Sequence, residues 1–281
     1  MIRDNLILEL SAWGFDDVPE RPFALIDGAR THAEEVLASR RVWNGRSAIV
    51  HEIPLKLQEM LERIVERDDV QAEFQGLIWE LGVVDLRMLL SFQRRLVLRD
   101  EFVESQDGVW SSRIDLAFPP HRSSCFAHDL SHNALTLISE NPDLTARLHA
   151  KPDKEQSFGL AIHHGSPFME VGVYRDRWFL RDGYHRAYRL LRSGIFEMPV
   201  VIVYARTLEE LGANQPWFFP EQVLFQNRPP MVTDFQCDEL LVRWRRPARR
   251  KVIRIAITEA FELSCSEEGE ETQYEYCNQA R

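Results

Sequence analysis

The chain has 281 residues, of which 44% are apolar and 10% aromatic, enough for a normal buried core and unlike a disordered chain. Its net charge of -10 and pI near 5.5 speak against a broad basic face for nucleic acid. They leave room for a local anion site built from a few arginines and backbone N–H groups.

The first residues mix Arg3, Asp4 and Glu9 into their apolar run, unlike a secretory signal, and no stretch of about 18 apolar residues could cross a membrane. Cys125, Cys237, Cys265 and Cys277 are scattered, with no CxxC pair. The expectation is a reduced, cytoplasmic protein with no membrane partner.

In chain order, residues 1–81 read as a mainly helical part. Within residues 54–66 (PLKLQEMLERIVE), Leu55, Leu57, Met60, Leu61 and Ile64 recur close to helical spacing, with Pro54 suited to the first turn. Residues 70–81 fit a second helix. Residues 82–96 open as a short apolar strand carrying Asp85, then a Leu-rich turn and Gln93, Arg94 and Arg95. Pro119-Pro120, Asn141-Pro142 and the His164 to Pro167 run mark loops, and a helix is expected within residues 131–147.

The pattern then sharpens. Residues 168–174 alternate as a strand, Arg175-Asp176 suits a turn, and Trp178 to Leu180 a second strand. Asp182-Gly183 leads into a helix from about Tyr184, which Gly194 is placed to stop. Residues 198–204 (MPVVIVY) form a continuous, buried-type strand. Beyond lie a short helix candidate at residues 208–211, a break at Arg228-Pro229-Pro230, an alternating strand in residues 251–258, and a glutamate-rich end.

The run from Arg181 to Gly194 (RDGYHRAYRLLRSG) concentrates the chemistry. A helix that starts after a glycine turn points unpaired N–H groups outward, and its dipole favours an anion there. His185, Arg186 and Arg189 can share one side, with Arg192 continuing the row. Ala187, Leu190, Leu191 and Ile195 can take the buried side. Three converging cations at such a start point to a phosphate-like ligand.

Residues 178–205 (WFLRDGYHRAYRLLRSGIFEMPVVIVYA) resemble the core of the ParB/sulfiredoxin superfamily: a strand, Asp-Gly-x-His-Arg, an amphipathic helix, Gly, then Pro-Val-Val-Ile-Val. Residues 167–173 look like the family's Pro-x-x-Val strand, and residues 82–95 like its first strand and loop. The resemblance implies an α/β fold whose helix start binds nucleotide phosphates, ATP or CTP with Mg²⁺. Carried over by position, Gly183, Tyr184, His185 and Arg186 form the phosphate-binding turn, with Arg189 in support. Asp182 shapes the turn or approaches a metal. A phosphotransfer reaction needs a general base, for which Glu170, Asp182 and Asp85 are candidates.

The departures are specific. Sulfiredoxins carry Cys where this chain has Tyr184, so sulfinic acid reduction is not expected. ParB proteins have a Glu-Arg-Arg run at Tyr184, His185 and Arg186, and no helix-turn-helix follows the core. A second cluster is Cys125, His128 and His132; His128 and His132 would share a helix face at i, i+4, but the Glu of a zincin is missing, and no metal site is expected. The basic run WRRPARRK at residues 244–251 reads as a solvated loop beside a strand.

The expected fold is therefore α/β. A ParB/sulfiredoxin-like core spans residues 82–205 with a long insert at about 100–166, after a helical N-terminal part and before a small α+β extension at 206–281. Three functions compete: a nucleotide-binding hydrolase or small-molecule kinase, a ParB-like nuclease or DNA-associated protein, and an inactive interaction module.

Overall fold

The computed structural model describes residues 4–18, 21–22, 27–98, 109–119, 127–129, 134–139, 144–150, 158–163 and 165–256. In chain order it contains β1 (Asp4–Leu10), α1 (Asp27–Ser39), α2 (Leu55–Val65), α3 (Asp68–Glu73), β2 (Trp79–Asp85), β3 (Leu90–Ser91), β4 (Arg95–Leu98) and α4 (Trp110–Ala117). There follow β5 (Ala127–Asp129), β6 (Ala134–Ser139), β7 (Thr145–Ala150), β8 (Phe158–His163), β9 (Glu170–Tyr174), β10 (Arg177–Asp182), α5 (Tyr184–Arg192) and β11 (Glu197–Tyr204). The remainder is α6 (Leu208–Leu211), α7 (Glu221–Leu224), β12 (Leu241–Pro247) and β13 (Lys251–Ala256). The fold is mixed α/β. Among the described residues no helix is long and apolar enough to cross a membrane.

A five-stranded mixed sheet, ordered β2-β11-β9-β10-β3, carries the centre. β11 is flanked on both sides, antiparallel to β2 and parallel to β9, and Met198 and Val200 to Val203 are fully buried. That explains its unbroken apolar run. Pro199, which has no N–H to give, sits before the β9 pairing begins at Val201. α5 buries Tyr184, Ala187, Tyr188, Leu190 and Leu191 and exposes His185 and Arg192, as the amphipathic pattern requires.

A second sheet joins the two ends of the described fold: β1 pairs antiparallel with β12 on one side and β4 on the other. Residues from Leu8 of β1 to Phe235 share one apolar core. The insert supplies β5 and β6, which form a sheet with β13 of the C-terminal extension, and the hairpin β7-β8.

Four elements differ from expectation. Of the basic run at residues 244–251 expected as a loop, Trp244 to Pro247 belong to β12, paired with β1, and Lys251 opens β13. The helical N-terminal part contains β1. Residues 70–81 are not one helix: α3 ends at Glu73, Gly76 takes φ +84, and β2 starts at Trp79. The apolar spacing suits a helix with Val70 and Phe74 buried one turn apart, but beyond Gly76 pairing with β11 decides the conformation. The helix expected within 131–147 is replaced by β6 and the start of β7, because β6, with Thr136 and Ile138 suited to a strand, pairs with β13 and β5.

The β9–β10 hairpin turns through Arg175 and Asp176, whose φ values of 48° and 61° match a type I′ turn. A non-glycine residue in this region carries strain, least for Asp. Asp176→Gly should raise stability by about 0.5–1 kcal/mol, seen as a higher urea midpoint at unchanged slope.

Candidate functional site

The site is built where β10 hands over to α5. The β9–β10 register slips between Leu180 and Asp182, so Arg181 and Asp182 crowd opposite Glu170. Such a bulge re-aims side chains at the end of a strand. Gly183 then takes φ +94 and begins α5. A Cβ on Gly183 would stand 3.0 Å from Met169 Cγ and 3.4 Å from the Arg186 guanidinium, so the turn needs glycine for both backbone and space.

Each sequence-predicted residue has a definite place. The Asp182 carboxylate accepts the N–H of Gly183 and lies 3.7 Å from an Arg186 terminal nitrogen. Arg186 turns back over the corner. Its Nη1 donates to the carbonyls of Leu116 at 3.1 Å and Pro167 at 2.6 Å, and its Nη2 to Phe168 at 2.6 Å. With its side chain 20% exposed, Arg186 ties α5 to the end of α4 and to the approach of β9. His185 lies outward on α5, with Nε2 donating to the Val97 carbonyl of β4 at 2.6 Å. A carbonyl only accepts, so Nε2 carries the proton. Arg189 is half-buried and Arg192 exposed, the latter 5.9 Å over the Tyr188 ring.

Tyr184 stands in the turn but keeps its side chain in the core. Its ring is buried against Phe92 and Phe235, and its hydroxyl accepts the Phe92 N–H at 3.2 Å and bonds Ser91 at 3.4 Å. Burial pushes the phenol well above its ordinary pKa, outweighing the Ser91 and Phe92 hydrogen bonds. Only the backbone N–H of Tyr184 belongs to the helix start.

Glu170 is 1% exposed. One of its oxygens is bound by Arg181, and the other makes no hydrogen bond among the described residues. Asp182, Gly183 and Arg186 thus come together, while Glu170 pairs with Arg181, whose side chain runs beside Gly172 and Gly212. Asp85 does not join them: it lies opposite Glu197 at the start of β11, whereas Glu170 lies opposite Val201. Burial works against Asp85 ionising, but the side chain and N–H of Arg87 outweigh it and hold the carboxyl below its usual range.

Arg181 is the participant that the sequence reading missed. The available signal was its place one residue before Asp-Gly, where a bulge can turn a strand residue toward its neighbour. Among the described residues no three His, Cys, Asp or Glu side chains converge on a point. His128 lies in β5, a strand, so the helical spacing weighed for Cys125, His128 and His132 does not hold there; Cys125 and His132 fall outside the described residues.

A scan against protein-family models, a search of curated proteins and a search of solved structures each gave no match.

Because Arg186 serves three carbonyls, Arg186→Ala should cost about 2–4 kcal/mol of stability, given roughly 1.5–3 kcal/mol for a hydrogen bond to a charged group and incomplete additivity. Arg192→Ala should cost less than about 1 kcal/mol. Urea unfolding of the two variants beside wild type checks the contrast, and equal losses would remove the clamp role.

Proposed function

We propose that the chain is a nucleotide phosphate-binding protein of the ParB/sulfiredoxin type, with its site at the β10–α5 corner. The observation that carries the reading is that this corner already holds an anion of its own. Asp182 sits on the Gly183 N–H and beside Arg186, where a phosphate oxygen would lie. An entering phosphate takes the place of Asp182, meets the Gly183 N–H and the first-turn N–H groups of α5, and finds at the rim His185, which as an imidazolium donates from Nδ1 while Nε2 stays on Val97. Arg186, tied to carbonyls, acts from behind as a positioning residue that keeps the corner in shape. Hydrolysis or transfer of a terminal phosphate is the reaction such a site serves, with Glu170 and Asp182 as the carboxylates at hand.

Mg²⁺ fits this site as an ion carried in by the nucleotide. Mg²⁺ commonly shares one or two carboxylates with phosphate oxygens, and Asp182 is the accessible one. Among the described residues no ligand set supports a resident metal. Nucleic acid is disfavoured by the net charge of -10.

A second reading, a fold kept as an interaction module, is favoured by one observation: the Arg186 guanidinium is engaged with three backbone carbonyls, as a structural arginine would be.

Calorimetric titration of the full chain with ATP and CTP separates the two. Without Mg²⁺, Asp182→Ala should bind about tenfold tighter than wild type, since a competing carboxylate is gone, and His185→Ala about tenfold weaker. With Mg²⁺ the advantage of Asp182→Ala should vanish. Absence of binding by all three proteins would remove the nucleotide reading and leave the module.

A further inference from the structure

Away from the α5 corner, a cleft of about 400 Å³ opens between α1 and the segment after α7. Glu34, Leu37 and Ala38, on one face of α1, form one wall, and Gln226, Asn227 and Arg228 the other. Small-molecule sites commonly measure roughly 300–1,000 Å³.

The second wall is irregular chain, yet it is closely held. Every carbonyl from Leu224 to Arg228 accepts a hydrogen bond. Arg177 donates to Leu224 at 2.8 Å, Phe225 at 3.1 Å and Gln226 at 3.2 Å. The Trp43 N–H donates to Asn227 at 2.9 Å. Trp13 Nε1 at 2.9 Å and the Gln226 side-chain amide at 2.8 Å both donate to Arg228. Pro229 and Pro230 then restrict the following backbone. A segment fixed in this way presents its side chains with little ordering cost when a ligand arrives.

Arg228 is itself aimed. Its Nε donates to the Arg40 carbonyl at 2.8 Å, while its terminal nitrogens make no hydrogen bond with the described residues. That leaves the planar fork that matches a carboxylate. The opposite wall carries Glu34. One of its oxygens accepts from Arg30 at 2.7 Å, in a pair whose side chains are about half exposed and which solvent weakens. Beside Glu34, on the same wall, lie the apolar side chains of Leu37 and Ala38.

A cation on one wall, and a carboxylate with apolar neighbours on the other, complement a small zwitterion with an aliphatic body. We propose that this cleft binds a free aliphatic amino acid, with its carboxylate on Arg228, its ammonium group on Glu34 and its hydrocarbon over Leu37 and Ala38. The proposal stands on different residues from the nucleotide site and does not depend on it.

The test is calorimetric titration of the full chain with L-leucine and ε-aminocaproate, whose charges are close together and a chain apart, and with caproate and hexylamine, which each keep one charge. At least one zwitterion should bind, with both single-charge analogues at least about tenfold weaker. Glu34→Gln and Arg228→Gln should each weaken binding by about tenfold to a hundredfold. Glu34→Gln changes an exposed side chain and keeps the fold, so it decides the matter even if Arg228→Gln unfolds. No binding of either zwitterion up to about 10 mM, or binding unchanged in Glu34→Gln, would overturn the proposal.

Discussion

Glu9, one residue before the end of β1, is a buried carboxylate enclosed by donors from three other parts of the chain. Arg21 donates to it through Nε at 2.8 Å and Nη2 at 2.6 Å, Arg95 of β4 at 3.1 Å, and Trp244 Nε1 of β12 at 3.0 Å. Asp16 completes the ring by accepting from Arg21 at 2.9 Å and Arg95 at 2.5 Å. Burial opposes ionisation of Asp16, but Arg95, with help from Arg94 and Arg21, holds its carboxyl below the usual range. Breaking such a buried network by removing one partner commonly costs about 3–5 kcal/mol, because the charges left behind have no water. The network fixes β4 against β1, and β4 supplies the Val97 carbonyl that orients His185 on α5. The geometry of the candidate site therefore leans on a charge cluster at the other end of the sequence.

The stretch from β9 to β11 was legible because its instructions are local. Asp182-Gly183 marks the strand-to-helix corner, the spacing of Ala187, Leu190 and Leu191 marks the buried side of α5, and the run from Met198 to Tyr204 marks a strand flanked on both sides. β1 was not legible: its conformation is set by β12, which follows it by most of the chain. Residues 74–81 misled for the same reason, since their spacing suits a helix until β11 is there to pair with.

The candidate site divides along the same line. That Arg186 and His185 occupy the first turn of α5 could be read from spacing. That Arg186 would turn onto the carbonyls of Leu116, Pro167 and Phe168 could not, because backbone acceptors leave no mark on composition. Tyr184 shows the limit of a motif read as a unit: it stands in the expected turn, yet its ring belongs to the core with Tyr188, one turn on. The pairing of Glu170 with Arg181 rested on a one-residue slip of register, which no periodicity announces.

Backbone carbonyls held by arginine recur through the molecule. Besides Arg186 and Arg177, Arg67 reaches Phe118 and Pro119, and Arg94 reaches Gly14 and Phe218. Of the 34 basic residues only Lys56, Lys151, Lys154 and Lys251 are lysines. A guanidinium offers five N–H donors in one plane and so can hold several carbonyls at once, which a compact ammonium group does less well. Neither partner in such a contact titrates under conditions a protein meets: the carbonyl has no proton to exchange, and the guanidinium keeps its own above pH of about 12. The irregular segments that form the cleft wall and the approach to β9 are thus fastened by joints indifferent to acidity. The joint between Arg40 and Asp234 is different: burial holds the Asp234 carboxyl above its usual range, so acid reaches it early.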